Sequence, residues 1–148
     1  MNPSWIVMLL VVIAGGATAL QAPTNARLAG ALASPVNAAF VSFLVGTAAL
    51  GVLALTLQAR PDAAAARALP WWTWIGGLYG AIFVVSAAWG VPRLGVALTV
   101  ILMVAGQILI SVLLDHFGAL GVPKQPLNLT RVLGVLLVFG GVLLVRRG

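Results

Sequence analysis

The run LGVALTVILMVAGQILISVLLDHFG, residues 94–118, goes from Leu94 to Leu114 without a charge before it reaches Asp115 and His116. Crossing about 30 Å of hydrocarbon takes about 20 apolar residues in a helix, and this run has that length. Its polar members recur at a helical spacing. Thr99, Met103, Gln107, Ser111 and Asp115 step by four, drifting by roughly 40° a step at 3.6 residues per turn. Gln107, Ser111 and Asp115 therefore share one broad face. The run reads as a membrane helix with a polar edge and an acidic end.

The rest of the chain has the same solvent. Of its 148 residues, 62% are hydrophobic and 7% are charged, against roughly 25% charged residues in a soluble domain. Four more apolar runs flank the first, at about 4–26, 36–57, 71–91 and 127–145. Arg131 lies in the first turn of the last one and must snorkel to the interface. The sequence thus specifies an all-α integral membrane fold, one transmembrane domain over residues 1–148 with five spans. A cleaved signal peptide is not expected: ATALQA (17–22) loosely resembles a cleavage site, but no basic residue precedes Trp5 and four spans follow.

Charge and cysteine content exclude other classes. The chain has no cysteine, so it offers no disulfide framework and no thiol chemistry. A net charge of +6 comes from basic residues scattered over all the loops, which is no nucleic-acid patch. One histidine and two acids, Asp62 and Asp115, give no acid–base pair and no set of metal ligands. Asp115 and His116 project about 100° apart on a helix and serve one centre poorly. Neither an enzyme nor a cofactor is expected.

The connections are short. RLAGALASP (27–35) and QARPDAAAARALP (58–70) bracket the second span, and DAAAARA reads as a short interfacial helix. VPRLG (91–95) reads as a tight turn whose proline and glycine stop one helix and permit the next. FGALGVPKQPLN (117–128) leads into the last span. PWWTW (70–74) sets three tryptophans at headgroup level. Ala39, Ser42, Gly46 and Ala49 form one small-residue stripe, and Gly76, Gly80 and Ala87 another, suited to close helix packing in lipid.

Polar residues within spans need partners, because hydrocarbon supplies no water. Thr18, Gln21 and Asn25 share a face of the first span, and Pro23 among them frees a carbonyl. In the third span Trp72, Tyr79, Phe83 and Ser86 form an aromatic stripe with two hydroxyls. With Thr99, Gln107 and Ser111, these residues suit a polar-lined cavity for a small solute better than isolated interhelical hydrogen bonds, worth about 0.6 kcal/mol each.

Two stretches, QAPTNARLAGALASPVNAAFVSFLVG (21–46) and PRLGVALTVILMVAGQILISVLLDHFGALG (92–121), resemble the YdcZ-like family of the drug/metabolite transporter superfamily. The resembling positions include Asn25, Pro35, Ser42, Phe43, Gly46, Gly95, Gln107, Asp115, His116 and Gly118. The resemblance implies a bacterial inner-membrane transporter with half of a ten-helix fold, completed by a second, inverted copy. The related small multidrug exporters carry a buried glutamate in their first helix, and this chain has none there. A neutral, zwitterionic or amphipathic solute suits the inventory better than an exported cation.

The loop charges point independently to an inverted pair. Arg60, Arg67, Lys124 and Arg131 fall on one side of a five-span chain, and Arg27, Arg93, Arg146 and Arg147 on the other. Cytoplasmic loops ordinarily hold the excess of Lys and Arg; here four face four, the pattern of a dual-topology protein forming an antiparallel homodimer. A membrane scaffold or accessory subunit, or a lipid-handling protein of the interface, are the alternatives.

Asp115 ends the fourth span against the helix dipole, a penalty of about 0.3–1 kcal/mol. One of Arg60, Arg67, Lys124 and Arg131, all on its side, is expected to compensate it. The favoured reading of Asp115 and His116 is an ion-paired helix stop holding residues 117–128. A gate or proton site at the mouth of the Gln107 cavity is the other.

Overall fold

A computed structural model describes residues 3–147, and they are almost wholly helical. The α-helices are α1 (Pro3–Ala31), α2 (Pro35–Thr56), the short α3 (Ala63–Arg67), α4 (Gly76–Leu94), α5 (Val96–Phe117) and α6 (Leu129–Arg147), with 3₁₀ turns at Trp71–Ile75 and Ala119–Gly121. Among the described residues, five segments are long and apolar enough to cross a membrane: Ser4–Ala31, Pro35–Thr56, Trp71–Leu94, Val96–Phe117 and Leu129–Arg147.

Where the helices stop differs from the sequence reading, for local reasons. α1 runs through Pro23 to Ala31. Proline removes one hydrogen-bond donor, which leaves the Ala19 carbonyl without its helical partner, but the flanking turns hold. The stop comes later. Ala33 takes the left-handed conformation (φ 53°), and the Ser34 N–H bonds back to the Ala29 carbonyl at 3.0 Å, the closing bond of a Schellman cap. Ser34 then begins α2, its Oγ accepting from the Asn37 N–H at 3.2 Å with Pro35 behind it. α2 ends the same way, with Gln58 at φ 50° and Ala59 N–H on the Ala54 carbonyl at 2.9 Å.

The expected tight turn at 91–95 is a correction. α4 continues through Pro92 and Arg93 to Leu94, and the break falls on Gly95 alone (φ 79°, ψ 164°), a conformation open to glycine. Arg93 closes the helix by donating from Nη1 to the Trp89 carbonyl at 2.6 Å and lies 4.2 Å from the Trp89 ring centroid. Of the two acids, Asp62 is a helix cap: its Oδ1 accepts from the N–H groups of Ala64 and Ala65, both at 3.0 Å.

The chain divides into two compact units, one ending at Arg93 and one beginning at Leu94. In the first, α1 packs along α2. Its buried cluster is Ala29, Ala38 and Ala88, from α1, α2 and α4, with Leu28 against it. Farther along, a Cβ on Gly80 would meet Phe43 Cζ at 3.0 Å, so Gly80 is the small residue that admits the ring. Gly76, its partner in the expected stripe, has nothing within 4 Å. In the second unit α5 and α6 pack as a helical hairpin. No large side chain is fully buried among the described residues, and most of the Leu, Val and Ile side chains are exposed. Lipid tails are as apolar as those side chains, so a membrane protein can leave them outside.

Candidate functional site

Helix periodicity brings Gln21, Asn25 and Ala29 onto one face of α1, each a turn from the next, and that face meets α2. Gln21 Nε2 donates to Ser42 Oγ at 3.4 Å, at the long limit for a hydrogen bond. The pair stands in a cleft of about 210 Å³ lined by Gln21, Ser42, Phe43, Gly46, Thr47 and Leu50. One amide and two hydroxyls thus share the cleft with an aromatic ring and an aliphatic side chain.

Asn25 is the most unusual residue in this unit. It is 4% exposed, and its Nδ2 is the one buried side-chain nitrogen or oxygen without a hydrogen-bond partner among the described residues. An unsatisfied buried donor costs about 1–3 kcal/mol, so a residue of this kind calls for an occupant or a role. Thr18, the third residue expected on this face, turns its hydroxyl to the Ala14 carbonyl of its own helix at 2.9 Å. Thr24 does the same with Leu20, just after Pro23.

Of the other expected lining residues in this unit, Tyr79 and Ser86 do not line the cleft. Tyr79 is 62% exposed, Ser86 is exposed, and neither makes a hydrogen bond. In the second unit Thr99 is buried, and its Oγ1 donates to the Gly95 carbonyl at 2.7 Å, closing the first turn of α5. Ser111 Oγ donates to the Ile108 carbonyl at 3.0 Å, and Gln107 is exposed without a hydrogen bond.

The end of α5 carries a polar clamp. Arg131 Nη1 lies 3.2 Å from Asp115 Oδ2 and 3.3 Å from the Gln125 carbonyl, while Nη2 meets Gln125 Oε1. Gln125 N–H returns to the Asp115 carbonyl at 2.7 Å, and Leu127 N–H to His116 Nδ1 at 3.1 Å. Asn128 starts α6, its Oδ1 accepting from the Arg131 N–H at 2.9 Å. Gly118 (φ 64°) allows the reversal: a Cβ there would meet Lys124 Cβ at 3.2 Å. Arg131 is one of the four bases on the Asp115 side. Gln125 and Asn128 were not legible as part of this clamp, and only the cap-forming Asn before an apolar run offered a signal.

No group of three or more His, Asp or Glu side chains that could hold a metal occurs among the described residues.

A family model described as "Putative inner membrane exporter, YdcZ" matches residues 6–144. The chain belongs to the YdcZ family. With its five apolar helices it is a multi-pass protein of the bacterial inner membrane. A curated relative, the inner membrane protein YdcZ of Escherichia coli (strain K12), is 39% identical over 77 residues, 52% of this chain and 52% of the relative. The match therefore spans about half the length of that curated YdcZ protein. No solved structure matches the chain.

Proposed function

We propose that this YdcZ-family protein is a small-molecule transporter, one five-helix transmembrane domain working as an antiparallel homodimer of dual topology. Family membership carries the transport reading. The α1–α2 cleft, with Gln21, Ser42 and Thr47 set beside Phe43 and Leu50, supplies a place for a neutral or amphipathic solute. Two inverted copies would provide the pair of related halves that alternating access uses. The four-against-four charge balance supports that arrangement, since neither insertion is favoured by the loops.

Flux tests the activity. Purified protein in liposomes should release an entrapped amphipathic solute faster than empty liposomes, and Gln21→Leu should slow that release while the protein still purifies folded. Equal release from empty and loaded liposomes across a solute panel would return the chain to the scaffold or lipid-handling readings. C-terminal reporters, one active only in the cytoplasm and one only in the periplasm, should both give signal. Signal from one alone would remove the antiparallel homodimer.

A further inference from the structure

We infer that the hollow where α1, α2 and α4 come together at Arg93 holds the phosphate headgroup of an anionic phospholipid, with Arg93 and Ser34 as its donors. The site is separate from the α1–α2 cleft and does not depend on the transport reading.

The hollow has a volume of about 310 Å³ and lies within the first unit. Small-ligand sites run from roughly 300 to 1,000 Å³, so this one admits a headgroup and not a whole lipid. Apart from Ser34 and Arg93 its lining is small or apolar, with Ala29 and Gly30 from α1, Pro35 from α2, and Ala88 and Trp89 from α4.

Three observations name the occupant. The first is charge. Arg93 is the one ionisable residue in the lining. Of the two acids in the chain, Asp115 pairs with Arg131 and Asp62 caps α3, so Arg93 has no carboxylate among the described residues. The second is the donors. Arg93 gives Nη1 to the Trp89 carbonyl at 2.6 Å, and a guanidinium has N–H groups to spare beyond that bond. Ser34 Oγ accepts from the Asn37 N–H, and its own hydroxyl proton has no acceptor among the described residues. A cation and a hydroxyl with no carboxylate beside them suit an oxyanion. The third is depth. The lining is drawn from the end of one membrane-crossing segment, the start of the next and the end of the third. Trp89, 56% exposed, stands there as tryptophans stand at headgroup level.

Depth decides between a lipid and a free phosphate. A dissolved anion would give up its hydration to an apolar wall in return for a single arginine. A lipid phosphate already lies at that level, with its chains along the exposed apolar sides of the helices. Net charge decides among lipids. Phosphatidylcholine brings a trimethylammonium for which the hollow has no carboxylate, and Arg93 already lies against the Trp89 ring, 4.2 Å from its centroid.

The full chain, purified in detergent, is titrated with phosphatidylglycerol or phosphatidylcholine of one chain length. Binding is read by native mass spectrometry and as a rise in melting temperature. The wild type should favour phosphatidylglycerol about fivefold, the worth of one basic residue at a membrane surface. Arg93→Gln keeps a donor for the Trp89 carbonyl but loses the charge, and should bind the two lipids alike. Gly30→Leu puts bulk into the lining at a position where an added Cβ meets nothing within 4 Å. It should fold normally and lose the preference too, which keeps the inference testable if Arg93→Gln does not fold. Arg27→Gln removes an exposed charge outside the lining and should keep the preference. Glycerol phosphate, the soluble headgroup, should not raise the melting temperature.

Equal binding of the two lipids by the wild type would overturn the inference, as would a folded Gly30→Leu protein that keeps the preference. A loss on Arg27→Gln as large as on Arg93→Gln would also overturn it, since the attraction would then belong to the basic surface and not to the hollow. Glycerol phosphate that stabilises as well as phosphatidylglycerol would replace the lipid with a dissolved anion.

Discussion

Arg131 Nη1 reaches Asp115 Oδ2 at 3.2 Å, joining the first turn of α6 to the last turn of α5. The arginine also binds Gln125 through both its carbonyl and its side chain, so one guanidinium ties three points of a single connection. The pair is partly open, with side-chain exposures of 30% and 38%. Asp115→Asn should therefore lower stability by no more than about 1 kcal/mol, as expected of an exposed ion pair. Arg131→Leu should cost more, because Gln125 loses its partner as well. A double-mutant cycle on the two, followed by denaturant unfolding in detergent, should give a favourable coupling. A coupling of zero would leave Arg131 tied to Gln125 alone.

Asn128→Ala removes the acceptor that caps α6 at the Arg131 N–H. A lost N-cap costs about 1 kcal/mol, and the loss should add to that of Asp115→Asn only in part, since both act on one connection. Hydrogen exchange of the amides at 129–131 should speed up before that of the α6 interior.

Ala33 and Gln58 end α1 and α2 in the left-handed conformation, where glycine is the usual residue. Ala33→Gly should raise stability by about 0.5–1 kcal/mol, as the steric penalty on the Cβ is relieved. An equal or lower melting temperature would mean that the cap is not formed in the membrane.

Gly80 admits Phe43, and the nearest atom is the far end of the ring. Gly80→Ala should thus be cheap in stability, because the ring can swing. It should nevertheless alter ligand affinity in the cleft that Phe43 lines. Gly80→Leu overfills the contact and should cost about 1–3 kcal/mol. The contrast between the two variants separates a packing role from a cleft-shaping one.

The charge count predicts sensitivity to single substitutions. Ala59 is exposed in the connection between α2 and α3. Ala59→Lys should bias that face toward the cytoplasm, place the C-terminus in the periplasm and silence the cytoplasmic C-terminal reporter. Transport should fall, and return on co-expression with a chain carrying an added lysine on the opposite face, such as Leu94→Lys. Reporters that stay balanced after Ala59→Lys would show that something besides loop charge sets orientation.

Five helices could be read from the sequence because hydropathy is local: each run states its own solvent, whatever it packs against. Helix ends depend on backbone conformation at one residue, and Ala33 and Gln58 carry no composition signal for a left-handed turn. Pro92 misled for the converse reason, since a proline near the end of a helix loses one bond without ending it. The candidate site divides along similar lines. Gln21 and Asn25 were legible because a shared face is a matter of period. The Ser42 partner of Gln21 was not, because period assigns a face but not the neighbour it meets. Ser42 was read only as a packing residue, and Tyr79 and Ser86 proved exposed. Asp115 needed a base, and four residues qualified; the fold of residues 118–128 selects Arg131.

The contact of α1, α2 and α4 through Ala29, Ala38 and Ala88 has a mechanical consequence. Bulky side chains interlock, and a helix must climb over them to change register with its neighbour. Methyl groups present a nearly smooth track. Small axial sliding of α1 along α2 meets low barriers there, of the shear kind that packed helices use in domain motions. Such a joint glides, and the amides of Gln21 and Asn25 ride on it.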